Sequence, residues 1–380
     1  MPLSHPQHFD CAIIGGGLAG LTLSIQLQKK GLSIILFEKE EYPFHKVCGE
    51  YIAMESWNYL EACGIKLSEM NLPHITKLHV SAPNGNLIKH SLKPGGFGIS
   101  RYTLDNELAK IAEQSGAELL DNTKVIDVQF ENELFHINTQ NNVYTSKIVL
   151  GAYGKRSNLD IKLKRNFIQS SGKNTNYVGV KYHVKADLPD DLIELHNFSD
   201  GYCGISKVDD GSYCLCYLTT ADNLKKSGND IKEMEQHILM KNPFLKKYFT
   251  EFPILFDAPL AISQINFSPK KSIENHIIML GDAAGLITPL CGNGMSMALH
   301  ASKILSELLP SYFENTLSRQ ELEKSYSRLW SKQFSTRLKA GRIIQYFFGN
   351  QYLTNVFISI LKSFPFLIKK IVELTHGKPF

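Results

Sequence analysis

Apolar residues occur along the chain either in short runs or at the spacing of a helix. The order of these two patterns divides the chain into a strand–helix–strand unit, a strand-rich middle and a helical end. Short apolar runs bounded by turn residues predict strands. These predicted strands are 9–14, 32–37, 76–82, 87–92, 124–130, 134–138, 143–150, 177–185, 192–198, 202–208, 213–219 and 277–280. Helical spacing predicts helices over 21–30, 103–115, 231–240 and 243–248, and over most of the chain from about Met295.

The order of these elements predicts an α/β fold with more than one part. The first unit, in which two buried strands flank a helix, is typical of a Rossmann-like domain with a parallel sheet. The strands from 177 to 219 are joined by short polar turns, which predicts an antiparallel sheet with one solvent-exposed face. The two patterns suit the length of 380 residues, since a domain takes roughly 150.

Composition excludes several classes of protein. Lys and Arg number 41 against 37 Asp and Glu, so the net charge is only +4 and no nucleic-acid partner is expected. The seven cysteines are scattered and suit neither a disulfide framework nor a zinc site, and we predict no metal. The N-terminus lacks the basic flank of a signal peptide, and lysines interrupt the apolar run at 353–374. We therefore expect a protein of the reducing cytoplasm.

A glycine motif follows the first predicted strand. Gly15 permits a tight turn, Gly17 lets backbone N–H groups approach a pyrophosphate, and Gly20 lets the helix pack closely on the strand. Glu38 closes the second strand and is placed to accept hydrogen bonds from the ribose of an adenosine. Together these four residues predict a dinucleotide site.

A second motif lies where the last predicted strand ends. Gly281-Asp282 follows that strand, a loop with Pro289 comes next, and a helix begins near Gly294. A carboxylate at the carboxyl end of a strand is placed to bind cofactor hydroxyls, and a helix start supplies oriented N–H groups. These groups would suit a ribityl chain and the negative charge of a reduced flavin.

The two motifs, in this order and at this spacing, resemble the FAD-dependent oxidoreductase superfamily, which includes class A flavin monooxygenases, geranylgeranyl reductases and flavin-dependent halogenases. Two further segments are similar to that superfamily: Cys48-Gly49-Glu50, which geranylgeranyl reductase-like proteins place near the flavin, and Arg101 with Leu104 and Asp105, which resembles a segment that contacts the FAD diphosphate. The resemblance implies these cofactor-binding residues: Gly15, Gly17, Gly20, Glu38, Lys39, Cys48, Gly49, Arg101, Gly281, Asp282, Pro289, Gly292, Gly294 and Met295.

The resemblance also implies a domain division. We expect a discontinuous Rossmann-like FAD-binding domain of residues 1–75, 95–170 and 270–310. A substrate domain with an antiparallel sheet, residues 76–94 and 171–269, is inserted into it. A helical C-terminal region, 311–380, completes the chain.

Three differences from members of this superfamily reduce the number of reactions to be considered. Tyr153 stands where hydroxylases carry an acid that serves FAD and the nicotinamide cofactor, and Gly285 stands where they tend to have His. The W-x-W-x-I-P segment of halogenases is missing, since Trp57 and Trp330 are isolated. The resemblance therefore favours the geranylgeranyl reductase-like branch, which exchanges hydride or oxygen equivalents with an apolar organic substrate.

Several alternatives stay open from the sequence. A hydroxylase using NAD(P)H and O2 competes with a reductase, and a flavin-binding electron carrier or membrane-associated partner protein is a third hypothesis. Electrons would come from NAD(P)H docked transiently on the flavin face or from a partner protein, because no second dinucleotide motif is present. The basic, apolar segment around Lys362, Lys369 and Lys370 suggests peripheral membrane contact, against the simpler interpretation that it covers the substrate domain.

No catalytic acid or base is assigned from the sequence. Cys214 and Cys216 alternate on one predicted strand, so both should lie on one face and pack rather than carry out redox chemistry. His45 and His300 would reach a flavin only if the fold brings them there, and a lone histidine is more often a structural residue.

Overall fold

Most strands of the chain belong to two sheets. The computed structural model describes residues 6–169, 176–288, 292–348, 350–375 and 377–380. The strands are β1 His8–Ile14, β2 Ile34–Phe37, β3 Tyr51–Ala53, β4 His74–Ser81, β5 Leu87–Gly98, β6 Glu118–Leu120, β7 Asp127–Glu131, β8 Leu134–Asn138, β9 Val143–Gly151, β10 Tyr177–Val184, β11 Leu192–Phe198, β12 Gly201–Lys207, β13 Tyr213–Thr220, β14 Leu260–Ile265, β15 Ile273–Glu274 and β16 Ile277–Met279.

Helices connect and cover these sheets. They are α1 Leu18–Gln28, α2 Trp57–Cys63, α3 Arg101–Gln114, α4 Asn158–Lys162, α5 Asn166–Gln169, α6 Ala221–Lys226, α7 Ile231–His237, α8 Pro243–Glu251, α9 Gly294–Phe313, α10 Arg319–Phe348, α11 Gln351–Ser363 and α12 Pro365–Thr375. Cap residues set several of the starts: for example, the Ser100 side chain accepts a hydrogen bond from the Thr103 N–H at the start of α3.

The first sheet has a parallel centre. Its strand order is β15-β16-β9-β1-β2-β6, with the β7–β8 hairpin attached to β9. Strands β16, β9, β1, β2 and β6 pair in parallel, whereas β15 pairs antiparallel with β16. Continuous apolar runs such as Ile34–Phe37 are fully buried, as expected for strands covered on both faces by helices. The carboxyl ends of these parallel strands carry both predicted cofactor motifs.

The second sheet has the order β14-β10-β13-β12-β11-β4-β5-β3. All its pairs are antiparallel except β11 with β4. Helices α7 and α8 pack on one face through Met234, Leu245 and Tyr248, and the other face borders a cavity. The expected solvent-exposed face was therefore wrong: β12 and β13 are buried on nearly every residue, because α7 and α8 cover one face and the other face lies inside the cavity, away from bulk solvent.

The mixed α/β class and the helical C-terminus are confirmed. The domain boundaries stay a prediction, but strand pairing crosses them. Residues 51–53 and 96–98, both assigned to the FAD-binding segments, pair with each other in the second sheet as β3 and β5. Strands β3, β6, β14 and β15 and helices α2, α4, α5 and α6 were not predicted, because they are short and have weak periodicity.

The C-terminal helices pack onto both sheets. Helix α10 lies against α9, and α11 and α12 lie over β4 and β5 through Ile358, Leu361 and Ile368. The final residues return to the first part of the molecule: the Phe380 ring stacks on His300 with ring centroids 4.2 Å apart. Among the described residues, no helix combines the length and the apolar character that crossing a bilayer requires.

Candidate active site

A cavity of about 1010 Å³ opens between the carboxyl ends of the first sheet and the uncovered face of the second. Nearly all predicted cofactor residues line it, namely Gly15, Gly17, Glu38, Lys39, Cys48, Gly49, Arg101, Gly281, Asp282, Gly292, Gly294 and Met295. Gly20 lies just behind the wall. Pro289 lies outside the described residues. The fold therefore brings together two motifs that are far apart in sequence.

The first glycine motif forms a close turn between β1 and α1. Gly15 has a positive φ of +110°, and a Cβ added there would lie 2.5 Å from the Ala152 carbonyl oxygen. At Gly20 an added Cβ would lie 2.1 Å from the Gly15 carbonyl oxygen, so only glycine lets α1 approach β1 this closely. At Gly17 the space is open: an added Cβ meets only the ends of two flexible side chains, those of Arg101 and Lys46, at 3.6 and 4.0 Å.

Glu38 closes β2 at the edge of the cavity. One carboxylate oxygen accepts a hydrogen bond from the Gly16 N–H at 3.0 Å, and the other accepts from the N–H groups of Lys39 and Glu40 at 2.8 and 3.2 Å. These bonds fix the carboxylate beside the glycine turn. Its position matches that of the acid that binds the adenosine ribose in Rossmann-like sites.

Two cations lie above Gly17. Arg101 forms a bidentate ion pair with Asp105, with both N–O distances at 2.7 Å, and Lys46 lies 3.0 Å from the same carboxylate. Burial alone would raise the pKa of Asp105, but the charges of Arg101 and Lys46 outweigh it and hold the pKa below its ordinary value. Lys46 also lies 3.7 Å from Glu38, so two carboxylates balance the two cations, and what the cations offer a diphosphate beside Gly17 is charged N–H donors.

The second motif faces the first across the cavity. Gly281 and Gly292 adopt positive φ angles of +58° and +62°, and α9 begins at Gly294. The Lys270 ammonium donates to the backbone carbonyls of Asp282 and Lys155 at 2.8 and 3.1 Å. Burial lowers the pKa of Lys270 to about 8. Lys270 therefore ties the Gly-Asp turn to the segment after β9.

Glu50 is fully buried at the junction of the two sheets, and its φ is +55°. It accepts hydrogen bonds from the Arg101 N–H at 2.7 Å, from His183 Nε2 at 2.7 Å and from the Lys181 ammonium. Burial would raise its pKa, but the bond from His183 and the charge of Lys181 hold the pKa below its ordinary value. We name Glu50, Lys181 and His183 the Glu50 cluster.

His45 lies beside the Glu50 cluster in the cavity wall. Its ring stacks with Tyr102 at 4.6 Å and contacts Phe256 at 4.8 Å, and burial lowers its pKa. Ligand-type atoms of His45, Glu50 and His183 lie within 4.8 Å of one another. The Lys181 ammonium already pairs with Glu50 there, which opposes a metal cation. His300 packs on Phe380 outside the cavity lining.

Sulfur atoms gather on the cavity side of β13. Cys214 Sγ donates to the Cys48 carbonyl at 3.2 Å, and Cys48 Sγ lies 3.6 Å from the sulfur of Met295. Cys216 lines the cavity, and burial raises its pKa to about 12. The thiol of Cys216, half-buried in the cavity wall, is therefore protonated at neutral pH, which agrees with the packing interpretation of Cys214 and Cys216.

Tyr153 takes the place of an acid near the cofactor motifs. Its hydroxyl donates to Asp160 at 3.1 Å and lies 3.4 Å from the fully buried Arg165, whose guanidinium also donates to the Ala283 carbonyl at 3.0 Å. Burial, followed by the charge of Asp160, raises the pKa of Tyr153 far above its ordinary value. Tyr153 is thus a neutral member of a structural network.

The far end of the cavity is apolar. It is walled by residues of the second sheet and by the loop that follows Asp282, including Ile193, Leu195, Tyr202, Leu218, Ile265 and Leu286. Among the described residues, no cavity-lining position of β10–β14 bears a charged side chain. The cavity therefore has a charged, glycine-rich end and an uncharged end.

Comparison with known proteins indicates what the charged end of the cavity binds. A family model described as FAD binding domain matches residues 8–328, which include both glycine motifs. The chain belongs to this FAD binding domain family. It is a FAD-dependent oxidoreductase.

Relatives of this FAD binding domain protein include conditioned medium factor receptor 1 of Dictyostelium discoideum, 28% identical over 365 residues, which cover 86% of this chain and 68% of the relative. Digeranylgeranylglycerophospholipid reductase of Methanococcus vannielii is 24% identical over 349 residues, which cover 88% and 83%. Both alignments extend over most of the chain.

Solved structures share the fold. The flavin-dependent brominase Bmp2 aligns with a TM-score of 0.78 at 20% identity, covering 97% of this chain and 93% of the other. A geranylgeranyl bacteriochlorophyll reductase-like protein of Thermoplasma acidophilum aligns with a TM-score of 0.78 at 17% identity, covering 97% and 99%.

The residues present fit FAD. The open space above Gly17, the start of α1 at Leu18 and the cations of Arg101 and Lys46 suit a diphosphate. The fixed carboxylate of Glu38 suits a ribose.

Several residues of this site were missed from sequence. Lys46, Lys155, Lys181, His183 and Lys270 were not among the predicted site residues. Lys181 and His183 alternate with valines and a tyrosine on β10, so a polar stripe on one face of an apolar strand was the available signal.

Proposed function

We propose that this FAD-dependent oxidoreductase reduces a carbon–carbon double bond in an apolar, isoprenoid- or lipid-like substrate. The uncharged end of the cavity is the observation that supports this reaction. Leu218, Ile265 and Tyr202 pack together there and give an apolar chain a dry surface, where each buried Å² contributes roughly 25 cal/mol. A charged substrate would have to leave its charge without a partner at that end.

The cofactor end supplies position and electrostatics. Glu38 would accept hydrogen bonds from the adenosine ribose, and Arg101 and Lys46 would bind the diphosphate. Asp282 and the start of α9 at Gly294 would hold the ribityl chain and face the flavin. When bound, FAD would supply reversible hydride transfer between the reductant and the substrate.

The reductant is NAD(P)H or an electron-donor protein. Tyr153 is bonded to Asp160 and Arg165, so it does not reproduce the acid that serves nicotinamide binding in hydroxylases. This observation supports a reductase over a hydroxylase.

Anaerobic turnover tests the proposal. The protein reconstituted with FAD is reduced with NADH, NADPH or dithionite, and incubated with isoprenoid alcohols, isoprenoid diphosphates and isoprenoid-ether lipids. We expect a product heavier by the mass of H2 for each double bond reduced, without O2. A product that carries an atom from isotopically labelled O2 would instead identify a monooxygenase, and flavin reoxidation only by a protein acceptor would identify an electron carrier.

A pair of variants separates the apolar end from a general loss of activity. Leu218→Arg places a charge at the apolar end, and we expect kcat/KM to fall at least about tenfold with the FAD spectrum retained. Leu255→Arg is the matched control, because Leu255 is an exposed apolar residue outside the cavity lining. Equal effects of the two substitutions would count against the proposed substrate site.

A further inference from the structure

Apolar side chains form a stripe on the outer face of α11. Tyr352, Val356, Ile360 and Phe364, the residue after the helix, are spaced four residues apart, so they lie on one side of the helix. Their exposed fractions range from 44% to 77%. We name these four residues the α11 stripe.

The α11 stripe is not needed for packing within the chain. The opposite face of α11, with Ile358 and Leu361, already packs on Val80 and Ile88 of the second sheet. A surface helix normally presents polar residues outward when its inner face is buried. Here both faces are apolar, and more than half of the exposed large apolar side chains among the described residues lie between Ile343 and Leu374.

Basic residues surround the stripe. Residues 339–375 contain five Lys and Arg, which are Lys339, Arg342, Lys362, Lys369 and Lys370. Glu373 is the one acidic residue in that range, and it lies 3.9 Å from Lys369. On α12, Lys369 and Lys370 flank Phe366, which is 65% exposed. The surface is thus apolar and aromatic with a basic rim.

We propose that the α11 stripe and Phe366 dock on an anionic lipid bilayer, with Lys362, Lys369 and Lys370 at the headgroups. Aromatic and aliphatic side chains enter the boundary between headgroups and acyl chains, while lysines meet anionic lipids. A second copy of the chain fits less well, because a symmetric contact would bring the same basic rim against itself. This proposal does not depend on the reaction proposed above.

The apolar interior connects this surface with the cavity. Leu195 lines the uncharged end of the cavity and also packs against the cluster that contains Ile358 of α11. Ile193 lines the same end and packs against a cluster that contacts Val372 of α12. Leu195 and Ile193 thus lie between the helices proposed to face the bilayer and the uncharged end, where a membrane-borne substrate would be bound.

Vesicle sedimentation tests the docking surface directly. The full chain loaded with FAD is mixed with phosphatidylcholine vesicles, with or without phosphatidylglycerol. We expect binding to the anionic vesicles, weakening several-fold when salt rises from about 0.1 to 0.5 M, because screening shortens the range of the lysine charges. Equal partition to neutral and anionic vesicles, or no partition to either, would overturn the proposal.

Two variants with matched controls locate the surface. Replacing the four residues of the α11 stripe by Ser should lower the partition coefficient at least about tenfold, whereas replacing Val143, Ile161, Ile254 and Leu255 by Ser should not. These four residues are 45% to 57% exposed, so the control removes the same number of exposed apolar side chains elsewhere. FAD content and urea unfolding confirm that each variant is folded, and an equal loss in the control would overturn the assignment.

The basic rim is tested in the same assay. Lys369→Glu with Lys370→Glu should reduce binding to anionic vesicles at least about tenfold, since each basic residue near the surface contributes about 1 kcal/mol. Lys66→Glu with Lys225→Glu is the control for net charge. Analytical ultracentrifugation without vesicles covers the other occupant: self-association that disappears in the stripe variant would replace the bilayer with a second copy. Sedimentation needs no turnover, so its result stands apart from the test of the reaction.

Discussion

Two buried carboxylates on opposite faces of the second sheet have similar histidine partners and different surroundings. Glu50 accepts a hydrogen bond from His183 on the cavity side. Glu194 lies on the face covered by α8, where it accepts from His79 at 2.9 Å and from the Tyr248 hydroxyl. We name Glu194, His79, His196 and Tyr248 the Glu194 cluster.

The two clusters differ in charge and in what they hold. The Glu50 cluster contains the fully buried cation Lys181 and bonds to the backbone of Arg101, which lies above the glycine turn. The Glu194 cluster contains neither Lys nor Arg, and His196 bonds onward to Ser81 at 2.8 Å. A buried carboxylate with a histidine partner therefore connects the cofactor end of the cavity with β10 in the Glu50 cluster. In the Glu194 cluster a carboxylate of the same kind joins α8 to the sheet.

The largest expected effect is the loss of unfolding free energy caused by Glu50→Gln. Losing the carboxylate charge leaves the Lys181 ammonium buried without its ion-pair partner, which costs about 3–5 kcal/mol. Replacing both members, as Glu50→Gln with Lys181→Met, should recover at least half of that loss. Urea unfolding measures both values. A loss for Glu50→Gln no larger than that for Glu194→Gln, expected at about 1–3 kcal/mol, would contradict the comparison.

The second prediction concerns how the free energy of unfolding depends on acidic pH through the Glu194 cluster. Burial would raise the pKa of Glu194, but the interaction with His196, 3.8 Å away, and the hydrogen bond from Tyr248 lower the pKa from 4.5 to about 2. A carboxylate with a lowered pKa in the folded state stabilises the protein above its ordinary pKa, and that stability is lost as pH falls from about 4.5 to 2. The pKa difference corresponds to about 3 kcal/mol.

Unfolding free energies of the wild type and Glu194→Gln across this pH range measure the effect. We expect the difference between the two proteins to shrink by about 3 kcal/mol on acidification. A constant difference would show that Glu194 titrates normally.

The sequence predicted one end of the cavity much better than the other. Gly15, Gly17, Gly20 and Glu38 are close in sequence and carry local backbone requirements, so their pattern is readable. The Glu50 cluster joins Glu50, the residue before β3, to Lys181 and His183 of β10, and only the tertiary fold brings Lys181, 131 residues later in the chain, beside Glu50. Long-range packing of this kind leaves no local spacing to detect.

The apolar end of the cavity and the Glu194 cluster were not predicted for the same reason. Leu195 and Leu218 appear in the sequence as ordinary strand residues, and the structure decides which face borders the cavity. His79 and Glu194 meet because β4 and β11 pair in parallel, with His79 opposite Glu194. That pairing was not predicted, since the expected sheet was antiparallel throughout.

A third prediction concerns cofactor affinity. The double variant Glu50→Gln with Lys181→Met replaces the carboxylate that accepts from the Arg101 N–H by a neutral amide oxygen, which holds the start of α3 less firmly, so we expect FAD affinity to fall about tenfold, or about 1.4 kcal/mol. Glu194→Gln should change it less than about twofold. Flavin fluorescence titration measures both. Equal affinities would mean that the Glu50 cluster serves folding alone.

The smallest expected effect is the difference in stability between serine variants of two cysteines. Both cysteines are 1% exposed, and they lie on opposite faces of the sheet. Cys214 Sγ donates to the Cys48 carbonyl, so a serine hydroxyl keeps a partner and Cys214→Ser should cost less than about 1 kcal/mol. Cys203 packs among Val180, Ile205 and Leu215 on the α8 side, and its Sγ lies 3.9 Å from the Gly204 carbonyl, too far for a serine hydroxyl, so Cys203→Ser should cost about 1–3 kcal/mol. Urea unfolding of the two variants gives the order directly. The reverse order would mean that the cavity side of β13 tolerates a polar atom less well than the helix-covered side, which is incompatible with a polar link between Cys48 and the sheet.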